Sequence, residues 1–563
     1  MVSTSWFALL TLIPSLATAL PFRLPADPVQ QRRGFTLPIE RRRVVRSGLQ
    51  TRDDGLAGTV GIGDLADLFY TVAIQVGNVQ TAVNLDTGSS DLWVMSDACK
   101  TQVCRSSTAQ PYKASSGNST GAEVSLQYGD STSGTHAKGP VVLDTVALAG
   151  LSLPNQPLGA INDTDNSAVQ NGGAGIFGLG FPSQSFVQAA AVNQKFSSPA
   201  TTDSFIQNIG SFGPLVSRLA QAGHIEQPIF SISLQRNTVD VGGKGQITIG
   251  ELPAGIDNST ITWVPVRLYK PTDGGLNPPS FAKNEVYPLR WEVPIDGVFL
   301  DGQQLASTNL TGASPQLSAL IDTGNSILRG PKDVVNNILS TVSPAFARNS
   351  ASPATFPCNT PHTLAYKIGG KLFPVDPRDF VSSQSQSGAK VCTASNVVST
   401  DAPSSGSLFS WSLGDPFLKS TTVIFYYGNL TNPSVDPPKI GFVSNVPQNA
   451  DTLLEQAVSE AQASGGLFES TVEVAPTAST VVTLSAPATA SPTPAPSSTP
   501  KPASTGPLVN AQASASPSPV SASSAPSPSP SDKKGNGALG GVSLPSRTLM
   551  LLLAAAPLLF TLS

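Results

Sequence analysis

The chain has 563 residues; only 12% are Asp, Glu, Lys or Arg, while Gly and Pro number 49 each. That length allows several hundred residues of core plus tails, and the composition favours strands and turns over long helices. The formal net charge is −4, but eight arginines lie between residues 20 and 52, so the body beyond them is strongly acidic, which argues against nucleic-acid binding.

Residues 1–19 read as a secretory signal. The apolar run Trp6–Leu16 is too short to span a membrane comfortably, and Ala17-Thr18-Ala19 supplies a small-x-small cleavage pattern, although a basic n-region is missing. Secretion makes the four cysteines disulfide candidates. Their order suggests Cys99–Cys104 and Cys358–Cys392, one in each half; the two other connectivities would tie half to half. Closing the longer loop contributes about 3–4 kcal/mol on a chain-entropy basis. Without paired C-x₂-C spacing, and with only three histidines, a zinc site is a poor alternative, and no metal or cofactor is expected. His136, His224 and His362 lack an accompanying nucleophile motif. Sequons at Asn118, Asn162, Asn258, Asn309 and Asn429 suit a glycosylated lumenal protein.

Residues 20–52 show no clean period and carry Arg32-Arg33 and Arg41-Arg42-Arg43, as expected of a basic propeptide cut at or after basic sites; a disordered basic arm is the alternative. From Phe69 the pattern alternates, with Val72, Ile74 and Val76 on one face and Thr71, Ala73 and Gln75 on the other. Gly77-Asn78 marks a turn, and Thr81–Leu85 reads as a second strand ending at Asp86. Short strands continue to about Val446, with short helices plausible near Ser204–Ala222 and Lys332–Val342. The expectation is an all-β, largely antiparallel fold built twice, with lobes at 53–240 and 241–446.

From 447 to 535 the chain is expected to form a disordered stalk, because its Ser, Thr, Pro and Ala run cannot bury enough surface to offset ordering entropy. Residues 536–563 resemble a glycosylphosphatidylinositol (GPI) signal. Asn536-Gly537-Ala538 offers small residues for attachment at Asn536, followed by a spacer through Arg547 and an apolar tail from Leu549.

The tripeptide Asp-Thr-Gly occurs twice, at Asp86-Thr87-Gly88 and Asp322-Thr323-Gly324, each after a β-favouring apolar stretch. Two such half-sites suggest two lobes that bring two carboxylates together. Such a pair cannot ionise fully at once, so over an acidic range it shares one proton. The ionised member can then activate water while the protonated one polarises an amide carbonyl. Gly88 and Gly324 permit the tight turns, and Thr87 and Thr323 are placed to cross-bond between half-sites.

With these motifs the chain resembles the pepsin-type aspartic proteases over roughly residues 65–445. Asp86-Thr87-Gly88-Ser89-Ser90-Asp91-Leu92-Trp93-Val94 is similar to that family's first catalytic motif, and Ile321–Ser326 to its second. Ile176–Gly180 and Trp411–Phe417 resemble the segments that pass behind each catalytic loop. The resemblance implies a bilobal fold with a cleft between two β-rich lobes and a dyad of Asp86 and Asp322, supported by Thr87, Gly88, Ser89, Thr323, Gly324 and Asn325. It implies a flap bearing Tyr128, Gly129 and Asp130, with Trp93 as hydrogen-bond partner of Tyr128, and it places disulfides where the two proposed here fall. The anchor signal and stalk resemble the fungal yapsin-like branch, which prefers Lys or Arg beside the scissile bond; Asp130 resembles the acidic flap residue associated with that preference. Asn325 departs from the family's Ser or Thr, and its amide is expected to donate to Asp322 in their place.

The resulting expectation is a monomeric, GPI-anchored cell-surface aspartic endopeptidase acting on peptides and proteins. The alternatives are a non-catalytic, protease-like wall protein and a soluble secreted acid protease.

Overall fold

The computed structural model describes residues 69–471 except 130–133, 149–150, 198, 226, 243–244, 310–316, 384–387 and 400–408. It also describes the backbone of Phe35–Arg41 and residues 475 and 482–484. The signal peptide, Asp130, the bulk of the stalk and Asn536 lie outside the described residues.

The alternating pattern after Phe69 forms a hairpin. Tyr70–Val76 pairs antiparallel with Val79–Asp86, turning at Gly77, whose φ of +55° favours glycine. Val72, Ile74 and Val76 are buried, as their shared face requires. The outgoing strand continues into the lobe centre, where Leu85 and Asp86 run parallel to Phe177 and Gly178. Gly175–Gly178 in turn pairs antiparallel with Leu92–Met95. The second half repeats this arrangement: Ser318–Ile321 runs parallel to Trp411–Leu413, which pairs antiparallel with Leu328–Gly330. Parallel pairs at both centres qualify the expected antiparallel pattern, because each strand passing behind an Asp-Thr-Gly loop runs in the same direction as the strand entering it.

The lobes share one sheet. Ile229–Ser233 pairs with both Gly245–Ile249 and Thr421–Tyr426, and the latter with Lys439–Ser444. The boundary expected at 240/241 therefore falls inside a hairpin of the shared sheet, so neither lobe ends there. Above it, aromatic rings fill the seam. Trp291 packs 4.1 Å from Phe181 and 5.0 Å from Tyr427, ring centre to ring centre, and Phe230 stacks on Phe425 at 4.6 Å. Trp291 Nε1 and Tyr427 Oη both donate to the Leu179 carbonyl, at 3.0 and 2.6 Å. Two C-lobe side chains thus satisfy one buried N-lobe acceptor, adding direction to an otherwise apolar contact.

Two segments differ from expectation. Within the basic leader, Phe35–Arg41 forms a strand between Gly245–Ile249 and Tyr70–Thr71. Phe35, Leu37 and Ile39 alternate with Thr36, Pro38 and Glu40, a short period-two signal that Pro38 interrupts and the flanking arginine clusters obscure. The stalk does not begin at 447. Ala450–Ala463 is a helix whose buried Ala450, Leu454, Ala457, Val458 and Ala461 recur at helical spacing. Alanines supply most of that face, which made it resemble the Ala-rich tail that follows. Beyond it Ser470 bridges to Thr238, and Val482–Thr483 pairs parallel with Leu151–Ser152 at the edge of the N-lobe.

Cys99–Cys104 and Cys358–Cys392 are disulfides, one in each lobe. The buried carboxylate of Asp379 ties the inter-lobe connector to the C-lobe. Arg236 donates to it twice, at 3.0 and 2.7 Å, and Lys419 lies 2.9 Å away.

Candidate active site

Each Asp-Thr-Gly stands at the end of a parallel strand pair, and glycine behind each loop makes room for it. A Cβ on Gly178 would collide with the Ser90–Asp91 backbone, and one on Gly414 with the carbonyls of Asn325 and Ile327. Between the loops the threonines cross. Thr87 N donates to Thr323 Oγ1 and Thr323 N to Thr87 Oγ1, both at 3.0 Å. Each hydroxyl then donates across the seam, Thr87 to Ile321 O at 2.7 Å and Thr323 to Leu85 O at 3.0 Å. Four buried hydrogen bonds thereby fix the separation of the two loops.

That grip brings the carboxyl groups of Asp86 and Asp322 within hydrogen-bonding reach of each other. A Cβ on Gly88 would lie 2.6 Å from Asp322 Oδ1, and one on Gly324 would lie 2.5 Å from Asp86 Oδ1. Each glycine therefore accommodates the opposite lobe's carboxylate. The immediate donors are unequal: Asp86 accepts from Gly88 N at 2.8 Å and Ser89 Oγ at 2.6 Å, whereas Asp322 accepts from Gly324 N at 2.9 Å.

Burial raises both acids. Ser89 and Gly88 oppose the rise at Asp86, while the neighbouring Asp86 charge adds to burial at Asp322 and takes it to about 7. Donors that stabilise the charged form favour ionisation at Asp86, leaving the shared proton on Asp322.

The structure corrects the expectation for Asn325. Its Nδ2 donates to Ser412 Oγ at 2.9 Å and its Oδ1 accepts from Ile327 N at 3.3 Å, so the amide turns toward the Trp411–Leu413 strand rather than Asp322. An amide is longer than a hydroxymethyl group and reaches past the carboxylate to an acceptor on the next strand.

Trp93 Nε1 donates to Tyr128 Oη at 2.8 Å, at the end of the long hairpin strand Asn118–Tyr128. Burial, with the charges of Asp91 and Asp86, pushes the Tyr128 phenol well above its ordinary range. Gly129 follows at φ +94°. Asp91 is a supporting residue the motif alone does not reveal: it accepts from Phe186 N at 2.9 Å and Val187 N at 3.2 Å, the first two donors of the helix Phe186–Phe196, and from the hydroxyl of that helix's N-cap, Ser185, at 2.5 Å. Its place directly before Leu92-Trp93 was visible, but its partners lie about a hundred residues away.

The remaining candidates lie elsewhere. His136 contacts Asp163 and Asp165, and His362 contacts Asp301. Asn118, Asn162, Asn258 and Asn309 are exposed, whereas Asn429 is half-buried with its Oδ1 accepting from Thr431 N and Asn432 N. Among the described residues no cluster of three or more His, Cys, Asp or Glu side chains could hold a metal, and no helix is long and apolar enough to cross a membrane.

A family model described as "Eukaryotic aspartyl protease" matches residues 69–435. The chain is 25% identical over 388 residues to an "Aspartic protease" of Phaffia rhodozyma, covering 68% of this chain and 77% of that protein. It is 26% identical over 378 residues to "Pepsin A" of Bos taurus, covering 66% and 81%. With "Major aspartyl peptidase 1" of Cryptococcus neoformans it shares 24% over 427 residues, covering 72% and 76%.

Proposed function

The chain belongs to the eukaryotic aspartyl protease family and is an aspartic endopeptidase, and on that premise we propose that Asp86 and Asp322 form its catalytic dyad. The observation that carries the assignment is the reciprocal Thr87–Thr323 grip, which holds two carboxyl groups from separate loops against each other. Asp86, with more donors, is the base: it takes a proton from water as the oxygen attacks the scissile carbonyl carbon. Asp322 gives its proton to the carbonyl oxygen, producing a neutral diol. Collapse of the diol breaks the C–N bond, the leaving nitrogen takes up a proton, and the dyad returns to its singly protonated state. Thr87, Gly88, Ser89, Thr323 and Gly324 keep the two acids in register, and Tyr128 with Gly129 closes over the substrate.

The same reading makes the enzyme a precursor with a signal at 1–19 and a basic leader through 52. It is held at the cell surface by a lipid attached at Asn536, and Asp130 favours a basic side chain beside the scissile bond. The leader's Arg32-Arg33 and Arg41-Arg42-Arg43 suit self-processing. The five sequons and the short apolar C-terminal tail support the surface assignment.

Peptide hydrolysis against pH tests the dyad, using processed wild type, Asp86→Asn and Asp322→Asn, with and without pepstatin. Acid-range cleavage lost in both variants supports it; full activity in either variant removes it. Matched Lys-Arg and Phe-Phe substrates test the flap preference. Release of enzyme from cells by a phosphatidylinositol-specific phospholipase tests the anchor.

A further inference from the structure

Four cations are buried among the described residues: Arg218, Arg290, Arg378 and Lys419. Arg378 and Lys419 meet Asp376 and Asp379, and Arg218 donates to Gln156 Oε1 at 2.8 Å and Gly210 O at 3.0 Å. Arg290 alone of the four, 9% exposed, makes no ion pair or side-chain hydrogen bond among the described residues. Its guanidinium carbon lies 5.7 Å from the centre of the Phe409 ring, a contact that orients the group without neutralising it. The neighbouring Arg267 has its own carboxylate, 3.1 Å away in Glu292, so Glu292 is already engaged.

The placement of this charge, unpaired among the described residues, is informative. Arg290 immediately precedes Trp291, whose carbonyl accepts from Ile321 N at 3.0 Å, so its backbone runs beside the strand that delivers Asp322. Two groups bear on its charge: Arg267, which repels it, and Asp322, which attracts it only when ionised. Asp322 carries the shared proton and its partner negative charge is already held by Ser89 and Gly88. Burial, with the Arg267 charge beside it, holds the Arg290 guanidinium down at about 10, still charged at any pH where the dyad works. A buried cation left unpaired is costly, and a carboxylate is its natural complement because a planar guanidinium can donate two parallel hydrogen bonds.

We propose that Arg290 is a specificity-determining residue that receives a carboxylate of the bound peptide, an acidic side chain near the scissile bond, on the Asp322 side of the cleft. The proposal rests on the endopeptidase reading above. It is also compatible with a basic preference at the flap: the two would select a peptide with a cation toward one lobe and an anion toward the other.

The experiment uses processed full-length enzyme and peptides carrying Glu, Gln or Lys in turn at each of the three positions on either side of the scissile bond. Wild type is expected to prefer Glu over Gln by about tenfold in kcat/KM at one position, mostly through KM, as one charge-assisted contact implies. The ratio should grow as pH rises through the range where a free Glu ionises, near 4.3. In Arg290→Met the ratio falls to near one, in Arg290→Lys it is intermediate, and Arg290→Glu favours Lys. Arg290→Lys keeps the charge and stem, so it remains informative if the neutral variant fails to fold. A wild-type ratio near one at every position, or a ratio unchanged in Arg290→Met, overturns the assignment while leaving the protease reading intact. Absence of hydrolysis of every peptide overturns both.

Discussion

Asn325 gives its side-chain amide to Ser412, 2.9 Å from the hydroxyl, on the strand that runs beside Ile321. At the matching place in the first loop, Ser89 gives its hydroxyl to Asp86. The two half-sites are therefore alike in backbone and unlike in charge stabilisation, and the difference lies in one side chain that bypasses its carboxylate.

Asn325→Thr should restore a donor to Asp322. Stabilising the charged carboxylate lowers its pKa, so the alkaline limb of the rate profile should move down by roughly one pH unit, the worth of one charge-assisted hydrogen bond. A kcat/KM profile from pH 3 to 8 reads this directly. An unmoved alkaline limb would mean that Asp322 does not set it.

Stability should also depend on the dyad. Asp322 ionises near 7 in the folded protein against an ordinary 3.8, so its folded-state pKa is raised. The folded state then holds a proton that the unfolded chain has lost. This contribution is fully present below about 4 and disappears as pH rises through 7, at a loss of a few kcal/mol. Melting temperatures of Asp86→Asn and Asp322→Asn, both expected to resist self-digestion and to relieve the charge repulsion, should fall less between pH 4 and 7 than that of pepstatin-free wild type. Parallel curves for all three would locate the pH sensitivity elsewhere.

Trp93→Phe removes the indole donor to Tyr128 while keeping an aromatic ring. One neutral hydrogen bond is worth about 1 kcal/mol, so kcat/KM should drop about fivefold with little change in melting temperature. Equal loss of stability and activity would make Trp93 a packing residue only.

Arg236→Met breaks a buried bidentate pair. Burial alone would raise the Asp379 carboxyl, but Arg236 and Lys419 outweigh it and hold the group well below the usual carboxylate range. Losing Arg236 leaves Lys419 to balance Asp379, and the urea midpoint should shift by the equivalent of about 3 kcal/mol in an Asp86→Asn background. A shift under about 1 kcal/mol would show that Lys419 suffices.

Much of the centre was legible because its chemistry is local. Asp86, Thr87, Gly88 and their counterparts announce themselves by repetition, and Val72, Ile74 and Val76 by alternation. What could not be read depends on partners remote in sequence. Asp91 faces a helix that begins at Phe186, Asn325 chooses an acceptor at Ser412, and Arg290 is notable only for lacking a counter-ion among the described residues. The helix Ala450–Ala463 was hidden differently: its apolar face is mainly alanine, which in composition is indistinguishable from the tail behind it.

The final described residues carry a mechanical consequence. Val482 and Thr483 lie parallel to Leu151 and Ser152, and Leu484 N donates to Ser152 O at 2.7 Å. Tension on the chain beyond them enters the folded body along that short pair as shear. Leu151–Ile161 is in turn hydrogen-bonded along its length to Thr135–Leu148, the returning strand of the hairpin that carries Tyr128. A pull on the tail therefore reaches the protein one strand away from the hairpin that carries Tyr128 and, through the pairing of Gly159–Ile161 with Trp93–Met95, one strand away from the strand that leaves the Asp86 loop.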